Sequence, residues 1–186
     1  AARIPERYAR KELDSFLARD AARKLILNSA RDYVIGFKLD EDYGLLIRGG
    51  TGAGKTHIAV GILRQVIDKG YTGLYCNVPD LLARLRATYE SHSEESEADV
   101  IEACCACDLL ILDDLGSEST TEWVLDRLYL LINRRYESLR PIIVTTNCNE
   151  EELREKVGKR IVSRLNEMCQ PFPSFPLEDY RMKMMH

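Results

Sequence analysis

Apolar residues fall into two periods along this chain. Short apolar runs closed by polar residues or glycine lie at 43–48, 73–78, 109–112 and 141–147, and these read as strands. Between them, apolar positions recur three or four residues apart, the period of a helix packed on one face. The spacing predicts a helix over 20–37, with Ala21, Leu25, Ala30, Val34 and Phe37 inward and Arg23, Lys24 and Arg31 on a solvated face. A second opens with His57-Ile58-Ala59-Val60-Gly61-Ile62-Leu63 and runs to about Lys69, where Gly70 ends it. A third is capped by Asp80 and continues through Leu81, Leu82, Leu85 and Tyr89, with Arg84 and Arg86 outside. Residues 91–99 are polar and acidic and read as a mobile loop, and 100–107 as a short helix. The longest helical pattern covers 120–139, with Trp123, Leu125, Leu128, Leu131 and Ile132 as core and Arg134 and Arg135 as surface charge. Shorter helices follow at 150–157 and 161–168, divided by Gly158, and the proline-rich 171–176 suits an edge strand. Ahead of all this, Ile4, Tyr8, Leu13 and Phe16 can pin an arm across the surface, and Asp40-Glu41-Asp42 is a polar lead into the first strand. Strands alternating with helices predict an α/β fold around a parallel sheet.

The loop after the first strand carries the clearest chemistry. Gly49-Gly50-Thr51-Gly52-Ala53-Gly54-Lys55-Thr56 matches G-x-x-x-x-G-K-[ST], between a predicted strand and a predicted helix. Glycines let the backbone bring N–H groups to phosphate oxygens, and the following helix points its positive end at the same anion. Lys55 would reach the β- and γ-phosphates, and the Thr56 hydroxyl would bind Mg²⁺. A glycine-rich turn matching by chance is the plain alternative. The third strand ends in Asp113-Asp114-Leu115-Gly116. A buried parallel strand delivers its last residues to the sheet edge where the loop also lies. Asp113 would then hold Mg²⁺ through its water shell, and Asp114 stands where a base or water-positioning carboxylate is needed. Asn147 closes the fourth strand and would orient the attacking water or touch the γ-phosphate, though such an Asn also forms turns. Arg160 and Arg164 share a helix face.

Composition narrows this without redirecting it. The 186 residues suit one domain, and a net charge of −4 gives no global sign of nucleic-acid binding, while leaving room for a local basic patch. The 6 cysteines lie in apolar segments without metal-ligand spacing, which reads as reduced thiols in a cytoplasmic protein. No apolar run reaches membrane-spanning length. The opening Ala1-Ala2-Arg3 lacks an initiator methionine, which fits a piece of a longer protein.

The order of motifs resembles the AAA+ ATPases, and within them the DnaC/DnaI-type replicative helicase loaders. The resemblance spans nearly the whole chain. Ile4-Pro5-Glu6-Arg7-Tyr8 with Leu13-Asp14-Ser15-Phe16 is similar to the segment before the ATPase core, and Gly54 to Ala59, including His57, to the Walker A continuation. Leu112 to Gly116 resembles Walker B, Thr145-Thr146-Asn147 sensor 1, and Arg160 to Leu165 the arginine-finger helix, with Arg164 at the finger. Asp179-Tyr180-Arg181 is similar to the terminal motif whose arginine is compared with sensor 2. IstB-type transposase helpers share most of these motifs. The resemblance implies a P-loop NTPase three-layer fold, with a five-stranded parallel sheet whose sensor 1 strand lies between the Walker strands. Residues 1–42 would form an arm and helix packed on a core at 43–186, without a C-terminal lid domain. It also implies ATP or ADP with Mg²⁺, bound between subunits of a homo-oligomer, with Arg164 acting in trans on hydrolysis. The partners implied are single-stranded DNA and a hexameric replicative helicase. The helical segment 81–107 would face the DNA, with Arg84, Arg86 and Tyr89 as contacts. Three departures stand out: Asp rather than Glu at 114, no lid, and no helicase-gripping N-terminal module. The alternatives are a transposase client, a small-molecule kinase, and a nucleotide-gated binding module in which Asp114 is not a working base.

Overall fold

The computed structural model describes residues 2–39, 43–90 and 95–175. After two short 3-10 turns, Glu6–Tyr8 and Leu13–Ser15, come helix α1 (Ala21–Gly36), strand β1 (Gly44–Arg48) and helix α2 (Lys55–Asp68). Strand β2 (Gly73–Asn77) leads directly into α3 (Val78–Ala87), and α4 (Glu97–Ala106) into β3 (Leu109–Asp113). Then follow α5 (Glu122–Glu137), β4 (Ile142–Thr146), α6 (Glu150–Val157), α7 (Lys159–Met168) and β5 (Cys169–Pro171). The sheet has 5 strands in the order β2-β3-β4-β1-β5, and every pairing is parallel. β4 therefore lies between β3 and β1, as the resemblance implies.

Alternation along the strands divides the interior in two. Leu45, Ile47, Tyr75, Leu109, Ile111 and Ile143 face α1, α2 and the arm. Leu74, Cys76, Leu110, Leu112, Ile142 and Val144 face α3 to α7. This is a three-layer sandwich, and the central strands β3 and β4 are buried along their whole length. Leu13 and Phe16 anchor the arm in the first layer, with Ile4 and Tyr8 packed beside them. The Ala2 carbonyl accepts the Tyr75 N–H at 2.8 Å, so the arm also touches the open edge of β2. Among the described residues no helical domain follows β5, and no helix is long and apolar enough to cross a membrane.

Several local expectations change. In α1 the buried stripe runs through Ile26, Leu27, Ala30 and Val34, while Leu25 is 57% exposed. Three consecutive apolar residues left the phase of the period open. Arg23 is buried and paired with the N-cap Asp20, not on a solvated face. Asn77, not Asp80, caps α3, with its side chain accepting the Asp80 N–H, and helical backbone begins at once after β2. α4 starts at Glu97, because Ser96 and Asp99 form a reciprocal capping box. β5 forms at Cys169–Pro171 and shares only Pro171 with the expected proline-rich run. The largest change concerns Arg135, which is 0% exposed. Its guanidinium donates to the carbonyls of Cys104 (2.8 Å), Cys107 (2.9 Å), Asp108 (3.1 Å) and Pro141 (2.7 Å). It caps the end of α4 and fixes the starts of β3 and β4. The cysteines are free thiols, buried at 76, 104, 107 and 148. Positions 40–42 and 91–94, expected as a polar lead-in and part of a mobile loop, lie outside the described residues.

Candidate functional site

β1, β3 and β4 deliver their last residues to one edge of the sheet, and the loop after β1 crosses that edge. The loop's close contacts explain two of its glycines. Gly49 has φ 151°, and a Cβ there would sit 2.4 Å from the Phe175 Cβ. Gly54 has φ 107°, and a Cβ would meet the Phe16 ring at 2.9 Å. Phe16 and Phe175 meet edge to face at 6.3 Å, so they brace the loop from outside. Gly52 also takes positive φ, Ala53 is buried, and Ala53 N–H donates to Gly50 O at 3.4 Å, while Thr51 is exposed.

Lys55 opens α2 and is 6% exposed. Its ammonium donates to Gly49 O (2.9 Å), Gly50 O (2.8 Å) and Asn147 Oδ1 (2.6 Å). Asn147 in turn donates from Nδ2 to Asp114 Oδ1 at 3.0 Å. One amide thus joins the loop lysine to the second acid of the β3 end. Asp114 holds φ 67°, a left-handed conformation that Asp and Asn tolerate better than longer side chains.

Asp113 is 2% exposed and surrounded by donors. Thr56 Oγ1 donates to its Oδ1 at 2.9 Å, and Thr145 Oγ1 to the same oxygen at 2.7 Å. Tyr75 O–H donates to Oδ2 at 2.7 Å. Burial, then the charge of Asp113 and that hydrogen bond, push the Tyr75 phenol well above its ordinary range. Thr145 Oγ1 also accepts the Asp114 N–H at 3.0 Å, and Thr146 Oγ1 donates to Leu115 O at 2.7 Å. The β4 threonines therefore hold the turn that follows Asp113. Thr56 Oγ1 and Asp113 Oδ1 are hard oxygen donors of the kind Mg²⁺ takes alongside water and substrate phosphates, and the residues present fit that ion.

His57 lies beside the loop but is held by the arm. Its Nε2 is 2.8 Å from Glu12 O and 3.1 Å from Ser15 Oγ, and Phe16 meets its ring edge-on at 5.5 Å. Burial pushes the His57 imidazole pKa down. Arg164 is not among the groups gathered at this edge. On α7 its guanidinium stacks 4.1 Å above the Tyr136 ring of α5, with Nε donating to Asn133 Oδ1 at 3.3 Å. Arg160 stacks on Tyr129 one turn along, at 5.3 Å. Arg181 lies outside the described residues. On the segment expected to face DNA, Arg84 is ion-paired with Glu95. Arg86 lies 4.9 Å over the Trp123 ring, and Tyr89, 60% exposed, meets that ring at 6.3 Å. Trp123, expected in the core, is half-buried at this surface. Sequence reasoning missed Tyr75 and the role of Thr145. Strand alternation put Tyr75 on the Asp113 face, but it could not show how far a phenol reaches.

The fold and this constellation define a P-loop nucleotide-binding protein of AAA+ type. A sequence model of the IstB-like ATP binding proteins matches residues 1–165, and the chain belongs to that family. The replicative helicase loader DnaC of Escherichia coli (strain K12) is 27% identical over 158 residues, 85% of this chain and 64% of the relative. The chain thus spans less than two thirds of that protein's length. The crystal structure of the DnaC helicase loader matches with a TM-score of 0.83 at 27% identity, covering 94% of this chain and all of that one (100%). The crystal structure of DnaI matches with a TM-score of 0.79 at 21% identity, over 92% of this chain and 94% of that one, a likeness of fold.

Proposed function

We propose that this chain is an ATP-hydrolysing switch that helps load a hexameric replicative helicase onto single-stranded DNA. The observation that carries the reading is the joined network at the sheet edge, Thr56–Asp113 on one side and Lys55–Asn147–Asp114 on the other. ATP lies along the loop, its phosphates met by backbone N–H groups, the α2 N-terminus and Lys55. Thr56 and Asp113 would hold Mg²⁺, which when bound would supply neutralisation of phosphate charge. Asn147 leaves part of its contact with Lys55 as the γ-phosphate takes the ammonium, and with Asp114 it orients the attacking water. Arg164 serves the neighbouring subunit's nucleotide, where it meets charge that builds in the transition state. A monomer then binds ATP and turns it over slowly. Arg86, Tyr89 and Trp123 form a cationic, aromatic surface suited to stacking on unpaired bases, while Glu95 occupies Arg84.

The family match equally supports a transposase as client, and the sheet-edge chemistry is the same for both. ATPase activity that rises with protein concentration and with single-stranded DNA, and loses both responses in Arg164→Ala, is the expected outcome. Turnover independent of concentration and untouched by that change would refute the trans role. Co-purification with a hexameric helicase, rather than with a transposase, is expected for the loader.

A further inference from the structure

We infer that Tyr75 is a positioning residue for the cation site: its hydroxyl fixes the plane of the Asp113 carboxylate and so turns Oδ1 toward Thr56. This rests on the reading of the sheet edge as a nucleotide and Mg²⁺ site. A carboxylate that takes donors on one oxygen only can still swing about its terminal torsion, which is broad and two-fold. Here Thr56 and Thr145 both approach Oδ1, at 2.9 and 2.7 Å. Among the described residues, the donor on Oδ2 is Tyr75, at 2.7 Å. That bond comes from a different strand, so rotation of Asp113 breaks contacts on three elements at once: α2, β4 and β2.

The phenol is itself well fixed. Tyr75 is 5% exposed, its ring packs among the α1 and α2 layer, and Tyr8 of the arm lies 6.1 Å from it. Its backbone N–H is held by Ala2 O. β2 pairs with β3 in register, Asn77 opposite Asp113 and Tyr75 opposite Ile111. Tyr75 therefore starts a step behind Asp113 on the same face and reaches forward along the sheet. An aliphatic side chain at this position would fill the layer and leave Oδ2 without its donor. Groups of this kind, one shell behind a metal ligand, commonly hold about 10- to 100-fold in metal affinity.

The test is Tyr75→Phe, which keeps the ring and removes only the hydroxyl. Two quantities are read on the full chain: affinity for a fluorescent ADP in EDTA, and Mn²⁺ affinity of the ADP complex by electron paramagnetic resonance. The expected result is Mn²⁺ affinity lowered about tenfold, with ADP affinity in EDTA unchanged, since the loop and Lys55 carry the latter. Both quantities unchanged would overturn the proposal. Both falling together would overturn it too, because Tyr75 would then be supporting the fold alone. A wild-type chain whose ADP complex takes up no Mn²⁺ would instead overturn the nucleotide and Mg²⁺ reading, and the Tyr75 role with it.

Discussion

Replacing Arg135 with methionine tests how β3 and β4 are held at their starts. The substitution keeps length and approximate volume but removes every donor. Five carbonyls, on Cys104, Cys105, Cys107, Asp108 and Pro141, then lose a donor, and those of Cys104, Cys107 and Pro141 are buried. Each unpaired buried acceptor costs about 1–3 kcal/mol. Against this, a guanidinium no longer has to be taken out of water, a cost of several kcal/mol for a buried ion. Burial already pushes the Arg135 pKa down, and its Nε has no partner, so the charge is not ideally met even in the native chain. The net loss expected is about 3 kcal/mol, the cost of the acceptors left without a donor less the desolvation the guanidinium no longer bears. For a chain of this size each kcal/mol moves Tm by roughly 2–4 °C, so the midpoint should drop by about 10 °C. Urea unfolding by circular dichroism reads the free energy directly. Arg135→Lys should rescue less than half, because one ammonium cannot span carbonyls that two guanidinium nitrogens reach. A loss under about 1 kcal/mol for methionine, or full rescue by lysine, would refute the strut.

Two further outcomes follow from the geometry. Asp114→Asn keeps the side-chain oxygen that Asn147 meets and the tolerance for left-handed backbone; stability and ADP affinity should hold while ATP turnover falls at least about 100-fold, as phosphate release will report. Burial works against ionisation of Asp108, yet Thr72 N–H (2.7 Å), Thr72 O–H (2.8 Å) and Arg140 outweigh it and hold its carboxyl below the ordinary value. The folded chain then binds fewer protons than the unfolded chain in that interval. Asp108 therefore contributes stability that is complete above about pH 4 and lost as pH falls through its folded pKa, and Asp108→Asn should flatten this part of an acid titration.

The sheet and the phosphate loop were legible because both depend on short-range sequence. Strand runs, a fixed glycine and lysine spacing, and acids closing an apolar run each leave a local mark. What was not legible came from distance. Arg135 follows Arg134 and looks like surface charge; only the arrival of the α4 end and the starts of two strands makes it interior. Tyr75 looks like an ordinary strand aromatic until Asp113 is placed on the next strand. The phase of α1 was lost in Leu25-Ile26-Leu27, where three apolar neighbours fit more than one face. The α4 start was missed because Ser96 and Asp99 sit in an acidic stretch that hides a capping box. Arg164 is a different case: its position on α7 is plain, and its proposed work belongs to a surface between subunits.

The hydrogen bond from Tyr75 N–H to Ala2 O gives the sheet a mechanical property. β2 is the outermost strand, held by β3 on one side and touched by the arm on the other. A tug on the arm is therefore applied to β2 at the residue whose side chain braces Asp113. Pulled outward, the arm peels away and leaves β2 on its one ladder. Pulled along the strand, it loads that ladder in shear. Tension on the arm thus reaches the proposed cation site through one tyrosine.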